Sequence, residues 1–256
     1  MFIDTHCHLD DPKLVNDLDT VVAEFKKERV TTAITMGCEI ETSILCRDIA
    51  NKYDSVYFGA GVHPMDAHKV LDDELSKIER LSEHVKCVCI GEVGIDLYWD
   101  KTHLERQVEV FNKMIEIANA KKLPLSVHMR DATEPTLKIL KQNKTKLGYG
   151  GVLHCYAGSK ETLKEILDLG FYIGFGGTLT FKNARNVLEV AKVTPLDRIL
   201  AETDSPYLSP EPKRGTINTP KNVVYVTAKL SEILGIELTK LSEKLYSNAK
   251  TLFTKL

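Results

Sequence analysis

Residues 1–11 read MFIDTHCHLDD, an apolar start followed at once by histidines and aspartates. In an extended strand alternate side chains share a face, so Asp4, His6 and His8 point to one side of the chain. Two imidazoles on one face, with carboxylates nearby, are typical of the beginning of a metal site. A pair of surface histidines is the alternative, and the rest of the chain has to decide between the two.

The composition is that of an ordinary globular protein, with 256 residues, 43% apolar and 27% charged, and a net charge of −2. This charge excludes a global basic field, so a nucleic-acid partner would have to be contacted locally. We expect no membrane span and no signal peptide, because no apolar run is long enough and Asp4 and His6 interrupt the first one. Six cysteines without a CxxC pair favour free thiols in a reducing compartment. The chain is therefore predicted to be cytoplasmic.

Short β-rich runs alternate with amphipathic helical patterns, such as LDTVVAEFKKER at 18–29, along the whole chain. The predicted strands are Phe2–Thr5, Thr31–Met36, Val56–Gly61, Cys87–Gly91, Leu125–His128, Gly151–His154, Phe171–Gly174 and Arg198–Ala201. Each is followed by a helical pattern, and two such patterns follow the last strand. Eight βα units of this size predict an α/β protein with a (β/α)8 TIM barrel, and an open doubly wound sheet is the alternative.

No linker or repeat divides the chain, so residues 1–256 are expected to form a single domain. The longest loop, SPYLSPEPKRGTINTP at 205–220, follows the eighth predicted strand. A long Pro-rich loop at that point is more typical of the rim of a site than of a domain boundary.

Polar side chains recur where the predicted strands end. They are His6, His8, His63, Glu92, His128, His154, Glu202 and Asp204. Barrels of this class assemble their active sites at the carboxyl ends of the strands, so we expect this set to converge at one barrel mouth. Five of the eight histidines belong to it, which random placement would rarely produce.

Histidines together with carboxylates suit Zn²⁺ or Mn²⁺, and the carboxylates also suit Mg²⁺. The set contains more ligands than one tetrahedral ion needs, so it predicts two divalent ions about 3.5–4 Å apart. A structural zinc site would instead be closed by four residues, usually including cysteines. Cys7 and Cys155 adjoin members of the set but are out of phase with them, and we interpret both as packing residues.

The sequence indicates different roles for individual members of the set. Glu92 stands where a bridging ligand would lie, and an ion pair with Arg130 is its alternative. Asp204 is a candidate ligand, a candidate general base, or both. Glu202 is a second candidate for catalysis, although a carboxylate two residues from a ligand often orients that ligand instead.

Two residues are predicted to bind substrate. His63 lies in the loop after the third strand, beside the set. Arg130 matches phosphate oxygens through its planar guanidinium, with a structural ion pair as the alternative. For Asp96 and Tyr98, placed in the loop after the fourth strand, a plain loop role is preferred to substrate contact.

Three segments resemble, in order, the signatures of the TatD-type metal-dependent deoxyribonucleases of the amidohydrolase superfamily. They are FIDTHCHLD at 2–10, PLSVHMRDATE at 124–134 and RILAETDSP at 198–206, with GVHP, IGEVGID and LHCYAGS matching the blocks between them. The resemblance implies a (β/α)8 barrel, a divalent metal centre and hydrolysis of DNA phosphodiester bonds, often from an end. The metal ligands that it implies are His6, His8, Glu92, His128, His154 and Asp204, with Glu202 contributing in some members. Branches of the superfamily that use a carboxylated lysine are disfavoured, because Glu92 occupies that place.

Three functions remain open. The first is a nuclease acting on DNA at single-stranded or frayed ends, for which Arg130, Tyr207, Lys213 and Arg214 are available as contacts. The second is a metal-dependent hydrolase of a small amide or ester, including an aminoacyl-tRNA ester, because activated water attacks a carbonyl carbon as readily as phosphorus. The third is a non-catalytic metal-binding or interaction protein, which the surplus of ligands disfavours.

Overall fold

The computed structural model describes residues 1–99 and 101–256. Eight strands form one sheet in chain order, and each strand pairs with the next in parallel. The strands are β1 Phe2–Cys7, β2 Val30–Met36, β3 Val56–Ala60, β4 Cys87–Asp96, β5 Leu125–Arg130, β6 Gly151–Leu153, β7 Phe171–Phe175 and β8 Ile199–Ala201. All eight predicted strands are present, and they differ from the prediction mainly at their ends.

Helices connect the strands on the outside of the sheet. They are α1 Leu18–Lys27, α2 Ile40–Lys52, α3 Leu75–Ser82, α4 Leu104–Lys121, α5 Thr133–Gln142, α6 Lys160–Asp168, α7 Arg185–Val193, α8 Val223–Leu234 and α9 Leu238–Leu252. Each buries one stripe against the strands; α3, for example, buries Leu75, Ile78 and Leu81 at helical spacing. Within the described ranges, none of these helices combines the length and the apolar character needed to cross a bilayer.

The sheet closes between its first and last strands. The Thr5 hydroxyl donates to the Ala201 carbonyl at 3.1 Å. Beyond the end of β8, the Asp204 N–H donates to the His6 carbonyl at 2.9 Å and the His8 N–H to the Ser205 carbonyl at 2.7 Å. These bonds remove the free edges of an open sheet, so the (β/α)8 TIM barrel is confirmed and the doubly wound alternative is wrong.

The two ends of the barrel interior differ in chemistry. Towards the amino ends of the strands, apolar residues such as Ile34, Val88 and Leu200 fill the interior, and Phe253 after α9 packs against them. Towards the carboxyl ends, the interior side chains are polar and include the histidines of β1 and β5. A packed lower half therefore supports a polar barrel mouth.

Strand β4 is longer than predicted. It runs to Asp96, whereas the prediction ended at Gly91 and placed Asp96 in a loop, which is wrong. The prediction ended early because Gly91 and Gly94 are residues typical of a turn. In the structure, however, Gly94 has φ +141° and lies against β5. A Cβ atom on Gly94 would come within 2.0 Å of the His128 carbonyl oxygen, so this glycine is required by close approach of two strands.

We expect Gly94→Ala to lower the free energy of unfolding by about 2 kcal/mol or more, because the added carbon would strain the backbone and push β4 from β5. Chemical denaturation measures this change. Gly148→Ala is the matched control, since a Cβ atom there meets nothing within 4 Å. Equal stability of the two variants would contradict the requirement for glycine at 94.

Candidate metal centre

The predicted set converges at the barrel mouth. His6, Glu92 and His128 lie within β1, β4 and β5. His8 and His154 directly follow β1 and β6, and Asp204 is the third residue after β8. His6 is completely buried, and Glu92 is 3% exposed. Strand ends that are far apart in the chain thus bring six candidate ligands into one buried cluster.

Glu92 lies at the centre of this cluster. Its Oε2 atom is 3.4 Å from Nε2 of both His6 and His8. Its Oε1 atom is 2.9 Å from Nδ1 of His128 and 2.8 Å from Nε2 of His154. The two carboxylate oxygens therefore face two different pairs of imidazoles, as a bridging carboxylate does.

Asp204 joins the first of these pairs. Its Oδ1 atom is 3.3 Å from Nε2 of His8 and 3.8 Å from Nε2 of His6. The first donor group consists of His6, His8, Asp204 and Glu92 Oε2. The second donor group consists of His128, His154 and Glu92 Oε1, with the two ring nitrogens 3.2 Å apart.

Hydrogen bonds fix which ring nitrogen each histidine offers. Nδ1 of His8 is 3.1 Å from the Met36 carbonyl, which can only accept, so this nitrogen carries the proton and Nε2 keeps its lone pair. Nδ1 of His6 is 3.2 Å from the Ser126 hydroxyl, which is able to accept the Nδ1 proton. With that proton on Nδ1, Nε2 of His6, like Nε2 of His8, keeps its lone pair for a cation.

In the second donor group the two histidines face Glu92 with different nitrogens, His128 with Nδ1 and His154 with Nε2. Nε2 of His128 donates to Oδ2 of Asp96 at 2.9 Å, which leaves Nδ1 free to face Glu92. Nδ1 of His154 lies 3.8 Å from Oε1 of Glu202, and its Nε2 faces Glu92. Metal-bound imidazoles in proteins usually hold their other nitrogen against a carboxylate, carbonyl or similar acceptor. His6, His8 and His128 do so within hydrogen-bond distance, whereas Nδ1 of His154 is buried and makes no hydrogen bond.

The geometry fits a divalent cation. Two ligand atoms about 2.1 Å from one tetrahedral ion lie about 3.4 Å apart, which matches the 3.3 Å and 3.4 Å separations within the first donor group. Nε2 of His6 is fully buried and makes no hydrogen bond. A buried polar atom without a partner is costly, and a cation would supply the missing interaction.

The electrostatics of the cluster agree with this fit. Burial and the nearby His154 lower the pKa of His6 to about 4, so its imidazole is neutral, as ligation requires. Burial opposes ionisation of Glu92, but the surrounding imidazoles hold its pKa well below the usual range. Burial also disfavours a charged His154, yet the Glu92 carboxylate raises the pKa of His154 to about 9. Burial likewise opposes ionisation of Asp204, but the same imidazoles lower its pKa. The cluster therefore concentrates the negative charges of Glu92 and Asp204 among basic nitrogens, where a cation can replace protons.

His63 lies beside the second donor group but offers a proton. Its Nδ1 accepts from the Met65 N–H at 3.2 Å, so the neutral ring carries its hydrogen on Nε2. That atom is 3.6 Å from Oε1 of Glu92. Burial lowers the pKa of His63 to about 4, and a neutral donor at this point suits contact with a substrate oxygen.

Arg130 lies at the exposed end of β5, with its guanidinium carbon 3.9 Å from the centre of the Tyr98 ring. Glu92 is surrounded by imidazoles, and within the described residues no ion pair joins Glu92 to Arg130. The alternative in which these two residues pair is therefore wrong.

Glu202 lies behind His154 rather than at the barrel mouth. It is completely buried, and its Oε1 atom accepts the Cys155 N–H. A Cβ atom on Gly174 would come within 2.5 Å of Glu202 Oε2, so this glycine makes room for the carboxylate. Burial raises the pKa of Glu202 to about 7.

Cys38 was missed by the sequence reasoning. Its sulfur is 3.7 Å from Nδ1 of His8 and 3.8 Å from Oε2 of Glu92, so a cysteine that the predicted set left out lies beside the first donor group. The signal that could have identified Cys38 is its position, because it is the second residue after β2, just as His63 is the third residue after β3. Burial raises the pKa of its thiol to about 12. By contrast, Cys7 is fully buried and donates to the Ile34 carbonyl at 3.3 Å, consistent with packing.

The loop after β8 holds its basic residues against aromatic rings. The Arg214 guanidinium carbon is 4.0 Å from the centre of the Phe181 ring, and Nη1 of Arg214 donates to the Ser209 carbonyl at 3.2 Å. Nζ of Lys213 is 5.9 Å from the centre of the Tyr225 ring. Both side chains are exposed. Each nevertheless contacts an aromatic ring of the same protein, so neither needs a nucleic acid as a neighbour.

Comparison with known proteins agrees with this site. The family model described as "TatD related DNase" matches residues 3–254. The chain is 39% identical over 253 residues to the uncharacterized metal-dependent hydrolase YabD of Bacillus subtilis, covering 99% of both chains. It is 37% identical over 254 residues to the uncharacterized metal-dependent hydrolase YcfH of Escherichia coli, covering 98% of this chain and 95% of that one. The crystal structure of YJJV, a TatD homologue from Escherichia coli, matches with a TM-score of 0.94 and 30% identity, covering 99% of this chain and 98% of that one.

The barrel, its buried donor groups and these relatives define a metal-dependent hydrolase. The chain belongs to the TatD-related DNase family.

We expect Asp96→Asn to lower the divalent-metal affinity of the second donor group about 10–100-fold. An amide N–H facing His128 favours a proton on Nδ1, the atom that must be free, whereas the amide oxygen can still accept the Tyr98 and Trp99 N–H groups. Competition titration against a chromophoric chelator measures the affinity. Asp197→Asn, at an exposed site before β8, is the control; equal affinities in both variants would contradict the role of Asp96.

Proposed function

We propose that this protein is a divalent-metal-dependent deoxyribonuclease that cleaves DNA phosphodiester bonds at single-stranded or frayed ends. The observation that carries the proposal is the pair of donor groups joined by Glu92 at an accessible barrel mouth. The metal ligands are His6, His8, Glu92, His128, His154 and Asp204, and they hold two ions per chain, Mg²⁺, Mn²⁺ or Zn²⁺. The deoxyribonuclease name of the family supports DNA as the substrate.

When bound, two such ions lower the pKa of a water molecule and polarise phosphoryl oxygens. Asp204 accepts the proton of the attacking water. Its side chain is 15% exposed, compared with 4% for Glu92 and 0% for Glu202, so it is the carboxylate of the cluster most open to the barrel mouth. Its contact with Nε2 of His8 holds it in position.

Glu202 orients His154 rather than transferring a proton to substrate. Its complete burial and its bond to the Cys155 N–H keep it away from the barrel mouth. His63 and Arg130 bind the substrate, His63 through its Nε2–H and Arg130 through its exposed guanidinium. These two donors suit the non-bridging oxygens of a phosphodiester.

A cytoplasmic location fits the same proposal. All six cysteines are free, in both buried and partly exposed positions. Free thiols persist in a reducing compartment such as the cytosol.

The purified protein should shorten an end-labelled single-stranded oligodeoxynucleotide in the presence of Mg²⁺, Mn²⁺ or Zn²⁺, and a chelator should abolish the reaction. Strands labelled at the 5′ or the 3′ end, resolved by electrophoresis, show from which end shortening begins. A panel of small amides, esters and an aminoacyl-tRNA serves as the comparison. If a compound of that panel is hydrolysed while DNA stays intact with every ion, the proposed nuclease function is wrong and the protein is an amide or ester hydrolase.

We expect Asp204→Asn to lower kcat for DNA cleavage about 10²–10⁴-fold at saturating metal, because the variant loses the proton acceptor. Metal content is measured by elemental analysis in the same samples. Glu202→Gln is the matched comparison and should mainly weaken metal binding, with a smaller loss of kcat at full occupancy. A fully loaded Asp204→Asn enzyme that cleaves at the wild-type rate would exclude Asp204 as the general base.

A further inference from the structure

Three side chains form an exposed aromatic platform at the barrel mouth. Tyr98 and Trp99 follow β4 and are 53% and 65% exposed. The Arg130 guanidinium carbon lies 3.9 Å from the centre of the Tyr98 ring and 5.3 Å from that of Trp99. The two rings meet edge to face, with centres 4.9 Å apart. We call Tyr98, Trp99 and Arg130 the aromatic platform.

The aromatic platform is attached directly to the metal centre. The N–H groups of Tyr98 and Trp99 donate to Oδ1 of Asp96 at 2.8 and 3.1 Å. The other oxygen of the same carboxylate accepts from Nε2 of His128. The Leu97 N–H also donates to the Arg130 carbonyl at 2.9 Å. The Asp96 carboxylate thus orients His128, a candidate metal ligand, and also holds the backbone turn that carries the exposed rings.

A third exposed ring, that of Tyr207, lies across the barrel mouth. Tyr207, after β8, is 47% exposed, and the centre of its ring is 6.2 Å from that of His8. Nζ of Lys13 lies 5.1 Å from the centre of the same ring. In a closed barrel with strands in chain order, β4 lies opposite β8 and β5 opposite β1. The two donor groups therefore lie between the aromatic platform and Tyr207.

Exposed aromatic rings beside cationic groups suit nucleobases. Every base has a π-face that stacks on an aromatic side chain, and proteins that bind single strands combine such stacking with nearby positive charge. The net charge of −2 provides no general attraction for phosphates. Local stacking can supply the binding that a basic surface would otherwise provide.

We infer that the aromatic platform is a base-stacking subsite for an unpaired nucleotide of a DNA strand whose phosphodiester lies at the metal centre. Tyr207 receives a base on the other side of that bond. A paired base is already stacked within its duplex and cannot lie on the platform, so the subsite selects single-stranded or frayed DNA. This inference rests on the proposed nuclease function and assigns residues to its choice of substrate.

Trp99 gives a direct optical test, because it is the only tryptophan in the chain. The metal-loaded protein is titrated with a phosphorothioate-linked single strand, which resists cleavage, while tryptophan fluorescence is followed. We expect saturable quenching by this strand. An abasic strand of the same length and charge, and a blunt duplex, should quench at least fivefold more weakly at the same concentration. Equal quenching by the abasic and the intact strand would overturn the subsite.

Kinetics of variants give an independent test. Trp99→Leu should raise KM for single-stranded DNA about fivefold or more with little change in kcat, and Trp99→Phe should restore most of the loss. Tyr149→Ala removes another exposed ring, 41% exposed and placed before β6 at the opposite end of the barrel, and should leave KM unchanged. An unchanged KM in Trp99→Leu, or an equal rise in Tyr149→Ala, would contradict the inference.

Failure of the subsite and failure of the nuclease function give different results. If the protein cleaves DNA without base-dependent quenching of Trp99, the subsite is wrong and the nuclease function stands. If no DNA is cleaved with any ion although the intact strand quenches Trp99, the nuclease function is wrong and the platform remains a base-binding surface.

Discussion

The buried carboxylate of Glu92 is the constraint on which the rest of the site depends. Five imidazoles lie within 3.6 Å of its oxygens, three from His63, His128 and His154 and two from His6 and His8. An ionised carboxylate in the interior is unfavourable unless charged or hydrogen-bonding groups compensate it. Strands β1, β4 and β5 and the segments after β1, β3 and β6 meet at this one charge, and it divides them into two donor groups suited to two cations.

Barrel closure supplies the groups that hold those imidazoles in place. The partner of His8 is a β2 carbonyl, that of His6 a β5 hydroxyl, and that of His128 a β4 carboxylate. Each ring is therefore fixed by an element other than its own, so the choice of nitrogen requires the complete barrel. The close approach of β4 and β5 at Gly94 also helps to hold a histidine in place, because it keeps Asp96 beside His128.

Glu202 and Asp204 show how two similar residues acquire different roles. A strand running through both would place them on one face, as alternation predicts. Strand β8, however, ends at Ala201, and Asp204 has φ +56°. The backbone turns between them, so Glu202 is buried beside β7 while Asp204 faces the first donor group. The protein has no general positive charge, which is why the proposed contacts with substrate are assigned to local groups such as His63 and Arg130.

The sequence by itself determined the order of the eight βα units and the positions of the candidate ligands at strand ends, because hydrophobic periodicity and the placement of polar residues after apolar runs are local signals. The sequence did not indicate the last part of β4, because Gly91 and Gly94 are residues typical of a loop. It also did not indicate that Cys38 lies at the site. Only the tertiary structure decided which imidazole nitrogen faces Glu92, which carboxylate is buried and where the exposed rings lie. Those properties come from contacts between residues far apart in the chain, such as His6 with Ser126 and His128 with Asp96, and no local pattern encodes them.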